Sequence, residues 1–231
     1  MIQIKLRQVQ QRIAQACAQA GRAPQSVQLL AVSKTFGADA VVQAHAAGQT
    51  AFGENYIQEG VDKIRQLAHL PLQWHCIGPI QSNKTRLVAE HFDWVHTIDR
   101  LKIAQRLSEQ RPAGLAPLQV CIQVNVDGGT SKSGVTPAEA LGLARDVAAL
   151  PNVRLRGVMS IPEPAIDFIA ACAVFTRVRT VFNALNAEGL GLDTLSMGMS
   201  ADMEAAIHEG STMVRVGTAI FGGRPVTHAV S

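Results

Sequence analysis

The sequence predicts an α/β protein of the closed (β/α)8, TIM-type class, with an extra helix at the amino terminus. Three observations carry this. Short apolar runs alternate with helical patterns through eight βα units, which implies a parallel sheet. Eight such units within 231 residues favour a closed barrel, a flavodoxin-like sheet with extra strands being the alternative. No G-x-G-x-x-G follows a strand, which counts against a dinucleotide-binding sheet.

Ile2, Leu6, Val9, Ile13 and Ala16 recur at helical spacing with Gln, Lys and Arg between them, so a helix ending near Gly21 precedes the first strand. Strands are expected at Val27 to Lys34, Thr50 to Gly53, Leu72 to Ile77 and Trp94 to Thr97, with helices at Ala38 to Ala47, Tyr56 to Ala68, Ser82 to His91 and Arg100 to Glu109, the last capped by Asp99. After a loop marked by Pro112 and Pro117, strands are expected at Leu118 to Asn125, Arg154 to Ile161, Thr194 to Met197 and Met213 to Val216. The helices between them are Pro137 to Leu150 with Thr136 as N-cap, Ala165 to Ala187, and Ala201 to Glu209. Residues 1–231 read as one domain.

Composition narrows the function. Lys plus Arg number 21 against 18 Asp plus Glu, and the scattered Lys63/Arg65 and Lys84/Arg86 pairs form no basic run, so nucleic acid is not an expected partner. Cys17, Cys76, Cys121 and Cys172 are far apart, without a CxxC pair or clustered histidines, which argues against a metal site or a disulfide framework and reads as buried thiols. Met1 to Arg12 is polar and no run of about 18 apolar residues follows, so a cytoplasmic protein without membrane contact is expected.

The informative residues stand where strands end, because that face carries the active site in this architecture. The apolar run Leu29 to Val32 leads into Ser33 and then Lys34, a placed amine. Gly198-Met199-Ser200 and Gly217-Thr218 follow strands seven and eight, where such barrels often hold a phosphate, and Gly, Ser and Thr supply the approach and the donors. A phosphorylated aldehyde would join Lys34 as a Schiff base, rest its phosphate on these loops and leave a ring nitrogen near Arg215. Pyridoxal 5'-phosphate fits. The loop from Gly128 to Gly134 lacks the G-x-x-x-x-G-K-[ST] spacing, so no nucleotide site is expected there.

The residues at these strand ends also resemble a known family, the pyridoxal phosphate homeostasis proteins (the YggS/PROSC-like group), related to the amino-terminal barrel of alanine racemase. The resemblance rests on Leu30-Ala31-Val32-Ser33-Lys34-Thr35, on Phe52-Gly53-Glu54-Asn55-Tyr56-Ile57-Gln58-Glu59, and on Trp74-His75-Cys76-Ile77-Gly78-Pro79-Ile80-Gln81-Ser82-Asn83-Lys84. It extends to Gly157-Val158-Met159-Ser160-Ile161-Pro162 and to Leu195 through Gly222. It implies the fold type III of pyridoxal phosphate proteins, with Lys34 as the Schiff-base lysine, Asn55 beside the ring, Ser200, Gly217 and Thr218 on the phosphate, and Arg215 facing the pyridine nitrogen. Ser160, at the end of strand six, completes the candidate set. Cys76 and Ser160 depart from the family pattern, which bears on local packing.

Arg215 near the ring nitrogen does not favour the protonated pyridinium of a strong electron sink. Alanine racemase-like catalysis also draws a tyrosine from a second domain, whereas this sequence stops at Ser231 and its only tyrosine, Tyr56, reads as a packing or ring-edge residue. The expectation is therefore a non-enzymatic, monomeric protein that buffers pyridoxal phosphate or delivers it to apoenzymes. An amino-acid racemase or lyase is the alternative, and a sugar-phosphate aldolase using Lys34 directly is the third reading. His75, on an expected strand, either points into the barrel near the site or is a core histidine, the second reading being favoured; Asp202 and Glu204 read as complements to a helix dipole, and Lys84, which could assist an anion, as part of a solvated helix face.

Overall fold

The computed structural model describes residues 1–128 and 133–223. Eight parallel strands close into a barrel in sequence order. They are β1 (Gln28–Val32), β2 (Ala51–Glu54), β3 (Gln73–Cys76), β4 (Trp94–Ile98), β5 (Leu118–Gln123), β6 (Val153–Met159), β7 (Thr194–Ser196) and β8 (Met213–Val216). Closure places β8 beside β1, with Leu30 opposite Arg215 and Ala31 opposite Val216. The expected βα alternation is the observed one.

Helices α1 (Ile2–Gln19), α2 (Ala38–Ala46), α3 (Ile57–Gln66), α4 (Thr85–His91), α5 (Leu101–Gln110), α6 (Pro137–Ala148), α7 (Phe168–Ala187), α8 (Met203–His208) and α9 (Thr218–Phe221) surround it. Alternation along each strand sorts the side chains. Ala31, Phe52, Trp74, Val95 and Val120 pack in the main core with the helices, whereas Leu30, Val32, Ala51, Ile77 and Met213 form a separate apolar cluster. On α1 the buried residues are Leu6, Val9, Ile13, Ala16 and Cys17, one stripe at helical spacing. Arg12, at the edge of that stripe, meets Glu204 of α8 at 2.7 Å and donates to the Ser200 carbonyl at 3.2 Å, tying the extra helix to the loop after β7.

Several boundaries differ from those expected, for local reasons. Asp99 does not cap α5; Arg100 occupies that position with an extended backbone and no side-chain cap. α7 starts at Phe168, three residues later than expected, because the Asp167 carboxylate accepts from the Ala170 N–H at 2.8 Å. Ser82 to Lys84 form a 3-10 turn ahead of α4, and α8 begins at Met203. Thr136 does cap α6, in a capping box with Glu139. Cys17, Cys76 and Cys121 are buried thiols, but Cys172 is partly exposed.

α7 is also long and apolar enough, by length and composition, to cross a membrane. The sequence reading expected no such run. Its stripe of Ala171, Phe175, Val178, Val181 and Leu185 is buried against the barrel. Arg179 on the same helix pairs with Glu209 at 3.0 Å.

Candidate functional site

β1 ends at Val32, so Lys34 stands in the turn beyond the strand, not at its last position. That turn is braced from outside the barrel. The Ser33 hydroxyl donates to buried Glu54 at 2.6 Å, and Lys63 of α3 donates to the Ser33 carbonyl and to Glu54, each at 2.8 Å. Lys63 also pairs with Glu59 at 2.6 Å, and the same Glu59 oxygen accepts from the Thr35 N–H at 2.6 Å. Thr35 has φ of 68°, a left-handed conformation uncommon for a β-branched residue, held here by Glu59 directly after Lys34. Burial raises the Glu54 carboxyl above its ordinary value, and the charge and hydrogen bond of Lys63 oppose the rise.

Lys34 opens onto a cavity of about 560 Å³ at the carboxyl end of the barrel, lined also by Asn55, Ser200, Arg215, Gly217 and Thr218. Six of the seven residues singled out from the sequence thus share one cavity. They come from consecutive strand ends, β7, β8, β1 and β2, so barrel closure is what joins them. Ser160 does not line the cavity. Its hydroxyl donates to the Val124 carbonyl at 2.9 Å, and it reaches the site only through its own carbonyl, which accepts from Arg215 at 2.8 Å.

Arg215 is 3% exposed. Among the described residues its guanidinium makes two hydrogen bonds, to the Ser196 hydroxyl at 2.7 Å and to the Ser160 carbonyl, both neutral acceptors. Burial lowers its pKa to about 10, the Asp202 carboxylate opposing, so it stays charged at neutral pH. The Asn55 side-chain oxygen is buried and, among the described residues, has no hydrogen-bond partner. A partner for it and for the remaining Arg215 donors is the kind of ligand this cavity fits.

Two glycines set these positions. Gly198 has φ of 97° and its carbonyl accepts from the Arg215 N–H at 2.9 Å, while an added Cβ would meet Ala206 at 2.5 Å. At Gly78 a Cβ would lie 2.1 Å from the Asn55 carbonyl oxygen. Gly78→Ala is expected to destabilise the protein by about 1–3 kcal/mol by overpacking and to displace Asn55, read as a lower urea midpoint. An unchanged midpoint would disprove the close approach.

The remaining sequence candidates lie elsewhere. Tyr56 is 51% exposed and outside the cavity lining. His75 is fully buried. The Asp202 carboxylate accepts from the Met199 N–H at 2.6 Å, and Glu204 holds Arg12, so both are structural. In the polar loop, Gly129 to Lys132 lie outside the described residues. Cys172, His208 and Glu209 bring ligating atoms within 4.8 Å of one another. Chain spacing hid this, since Cys172 and His208 are 36 residues apart. The Glu209 carboxylate is already engaged by Arg179 at 3.0 Å and Thr176 at 2.8 Å.

Sequence reasoning missed Glu54, Glu59 and Lys63 as supports of the lysine turn. The i,i+4 spacing of Glu59 and Lys63 was visible, but their attachment to Ser33 and Thr35 was not.

Fold and site together define a class: a (β/α)8 barrel with an amine just past its first strand and donor-bearing loops after its last two. Residues 4–225 match the family described as alanine racemase, N-terminal domain. The chain is 63% identical over 213 residues to the pyridoxal phosphate homeostasis protein of Pseudomonas aeruginosa, covering 92% of this chain and 91% of that one. A solved structure of PipY from Synechococcus elongatus with PLP bound is similar at TM-score 0.79 and 39% identity, over 91% of this chain and 100% of that one. Alanine racemase from Corynebacterium glutamicum, at 20% identity and TM-score 0.72, shares the fold over 98% of this chain and 62% of its own. The chain belongs to the alanine racemase N-terminal domain family and, within it, to the pyridoxal phosphate homeostasis proteins.

Proposed function

We propose that this protein binds pyridoxal 5'-phosphate reversibly on Lys34 and serves its homeostasis by holding the cofactor and releasing it to apoenzymes. The observation that carries the reading is the convergence of Lys34, Asn55, Ser200, Arg215, Gly217 and Thr218 on one cavity. When bound, the cofactor supplies an aldehyde carbon that condenses with an amine and a ring that can take up electron density. Lys34 lines the cavity and would offer the amine, while Ser200, Gly217 and Thr218, which line it too, would hold the phosphate. Asn55 would stand beside the ring, and Arg215 would donate toward the ring nitrogen, which would keep that nitrogen an acceptor and restrain carbanion chemistry. This restraint supports a carrier over a racemase or lyase. The reading takes residues 1–231 as one domain acting as a cytoplasmic monomer, its relatives' shared name and the PLP-bound PipY structure supporting the cofactor assignment.

Borohydride reduction of the protein mixed with pyridoxal 5'-phosphate, followed by peptide mass analysis, tests it. The expected result is a pyridoxyl mass on the Lys34 peptide, absent from Lys34→Ala. A protein left unmodified at Lys34 would defeat the reading. The pyridoxyl mass obtained without added sugar disposes of the aldolase alternative, and turnover of an L-amino acid that Lys34→Ala abolishes would replace the carrier with an enzyme.

A further inference from the structure

A file of hydrogen bonds runs through the barrel interior from the cavity to the opposite end. Arg215 donates to the Ser196 hydroxyl at 2.7 Å, and that hydroxyl lies 2.9 Å from His96 Nδ1. His96 Nε2 lies 2.9 Å from His75 Nδ1, and His75 Nε2 lies 3.0 Å from the side-chain oxygen of Gln73, the first residue of β3. His75, His96, Ser196 and Arg215 are all at most 3% exposed. Trp94 stacks on the His75 ring at 5.2 Å and 9°, fixing its plane.

The direction of the file follows from its ends. A guanidinium only donates, so Ser196 Oγ accepts from Arg215, and its single proton goes to its one other partner among the described residues, His96 Nδ1. A neutral imidazole that accepts at Nδ1 carries its proton on Nε2, so His96 donates to His75 Nδ1 and His75 donates to Gln73. Every dipole then turns its negative end toward Arg215. Such aligned neutral groups reinforce one another in a low-dielectric interior and steady a buried cation that, among the described residues, has no carboxylate in contact.

We propose that Ser196, His96 and His75 are positioning residues for Arg215: as a one-way file with both imidazoles neutral and Nε2-protonated, they hold its guanidinium so that the unused donors face the cavity. The part of this that concerns the cofactor's ring nitrogen rests on the pyridoxal phosphate reading; the file itself does not. Burial lowers the His75 pKa to about 3 and drives that of His96 well below its ordinary value, in keeping with neutral rings.

Nitrogen NMR of the cofactor-free protein reads both tautomers. The expected result is a proton on Nε2 of each ring and no titration between about pH 6 and pH 8. A proton on Nδ1 of either ring, or a charged ring in that range, overturns the file. His96→Leu removes both links and is expected to weaken pyridoxal 5'-phosphate binding by roughly tenfold and to shift the bound absorbance, because the charge-assisted bond that aims Arg215 loses its support. His96→Gln, which retains a donor and an acceptor, is expected to restore both readouts. Wild-type affinity and absorbance in His96→Leu overturn the positioning role. Should that variant fail to fold, Ser196→Ala carries the same expectation and the same overturning result. If the wild type bound no pyridoxal 5'-phosphate, the proposed function would fall, while the tautomers would still decide the file.

Discussion

Lowering the pH from about 7.5 to about 5 is expected to destabilise this barrel by about 2 kcal/mol through His75, with a further loss in the same direction through His96. Both imidazoles are fully buried, and burial depresses both pKa values from the ordinary 6.5, that of His75 to about 3. A depressed folded value means that the unfolded chain takes up the proton first. The stability from these rings is therefore complete above about pH 6.5 and is lost progressively as pH falls from there toward their folded values. Mutual charge adds to the effect, since a proton on His96 would face His75 and Arg215. Glu54 and Asp93, whose carboxyls burial raises, act in the opposite sense. Urea unfolding at the two pH values measures the loss, and a double variant with glutamine at both positions is expected to show little change over the same window. A wild type equally stable at both pH values would refute the argument.

Lys63→Met is expected to destabilise by about 3–5 kcal/mol at neutral pH, because it strands the Glu54 carboxylate in the interior. Glu54 is fully buried and one of its oxygens already has no hydrogen-bond partner among the described residues. Without Lys63 the one hydrogen bond left to its carboxylate among the described residues is that of Ser33. Adding Glu54→Gln to Lys63→Met is expected to recover much of the loss, since the charge to be accommodated is then gone. The single variant also removes the tie from Lys63 to the Ser33 carbonyl, so the turn carrying Lys34 loosens and formation of the pyridoxyl adduct slows. A Lys63→Met protein with wild-type urea midpoint would show that the ion pair contributes nothing net.

The candidate cavity was readable in the sequence to the extent that its residues follow strand ends. Lys34, Asn55, Ser200, Arg215, Gly217 and Thr218 all lie at or just past a strand's carboxyl end, and the architecture alone turns those positions to one face. Ser160 follows the same rule yet turns its hydroxyl away to the Val124 carbonyl, just past β5. His75 shows the reverse case. Alternation with Trp74 and Cys76 left its side open between a core and a cavity position, and it proved to be an interior residue joined to His96.

What the sequence determined by itself was the order of the elements, the apolar stripe of α1, the Thr136 cap of α6 and the lysine that follows the first strand, since each is written in periodicity or in neighbours a few residues apart. Only the tertiary structure decided how Arg215 is held and how the Lys34 turn is braced. The links of the Arg215 file join residues 19, 100 and 21 positions apart, and Lys63 reaches Ser33 across 30. No local pattern encodes such pairs. They exist because closing β8 onto β1 brings the inward side chains of distant strands together where water is excluded, and there a polar group without a partner is too costly to keep.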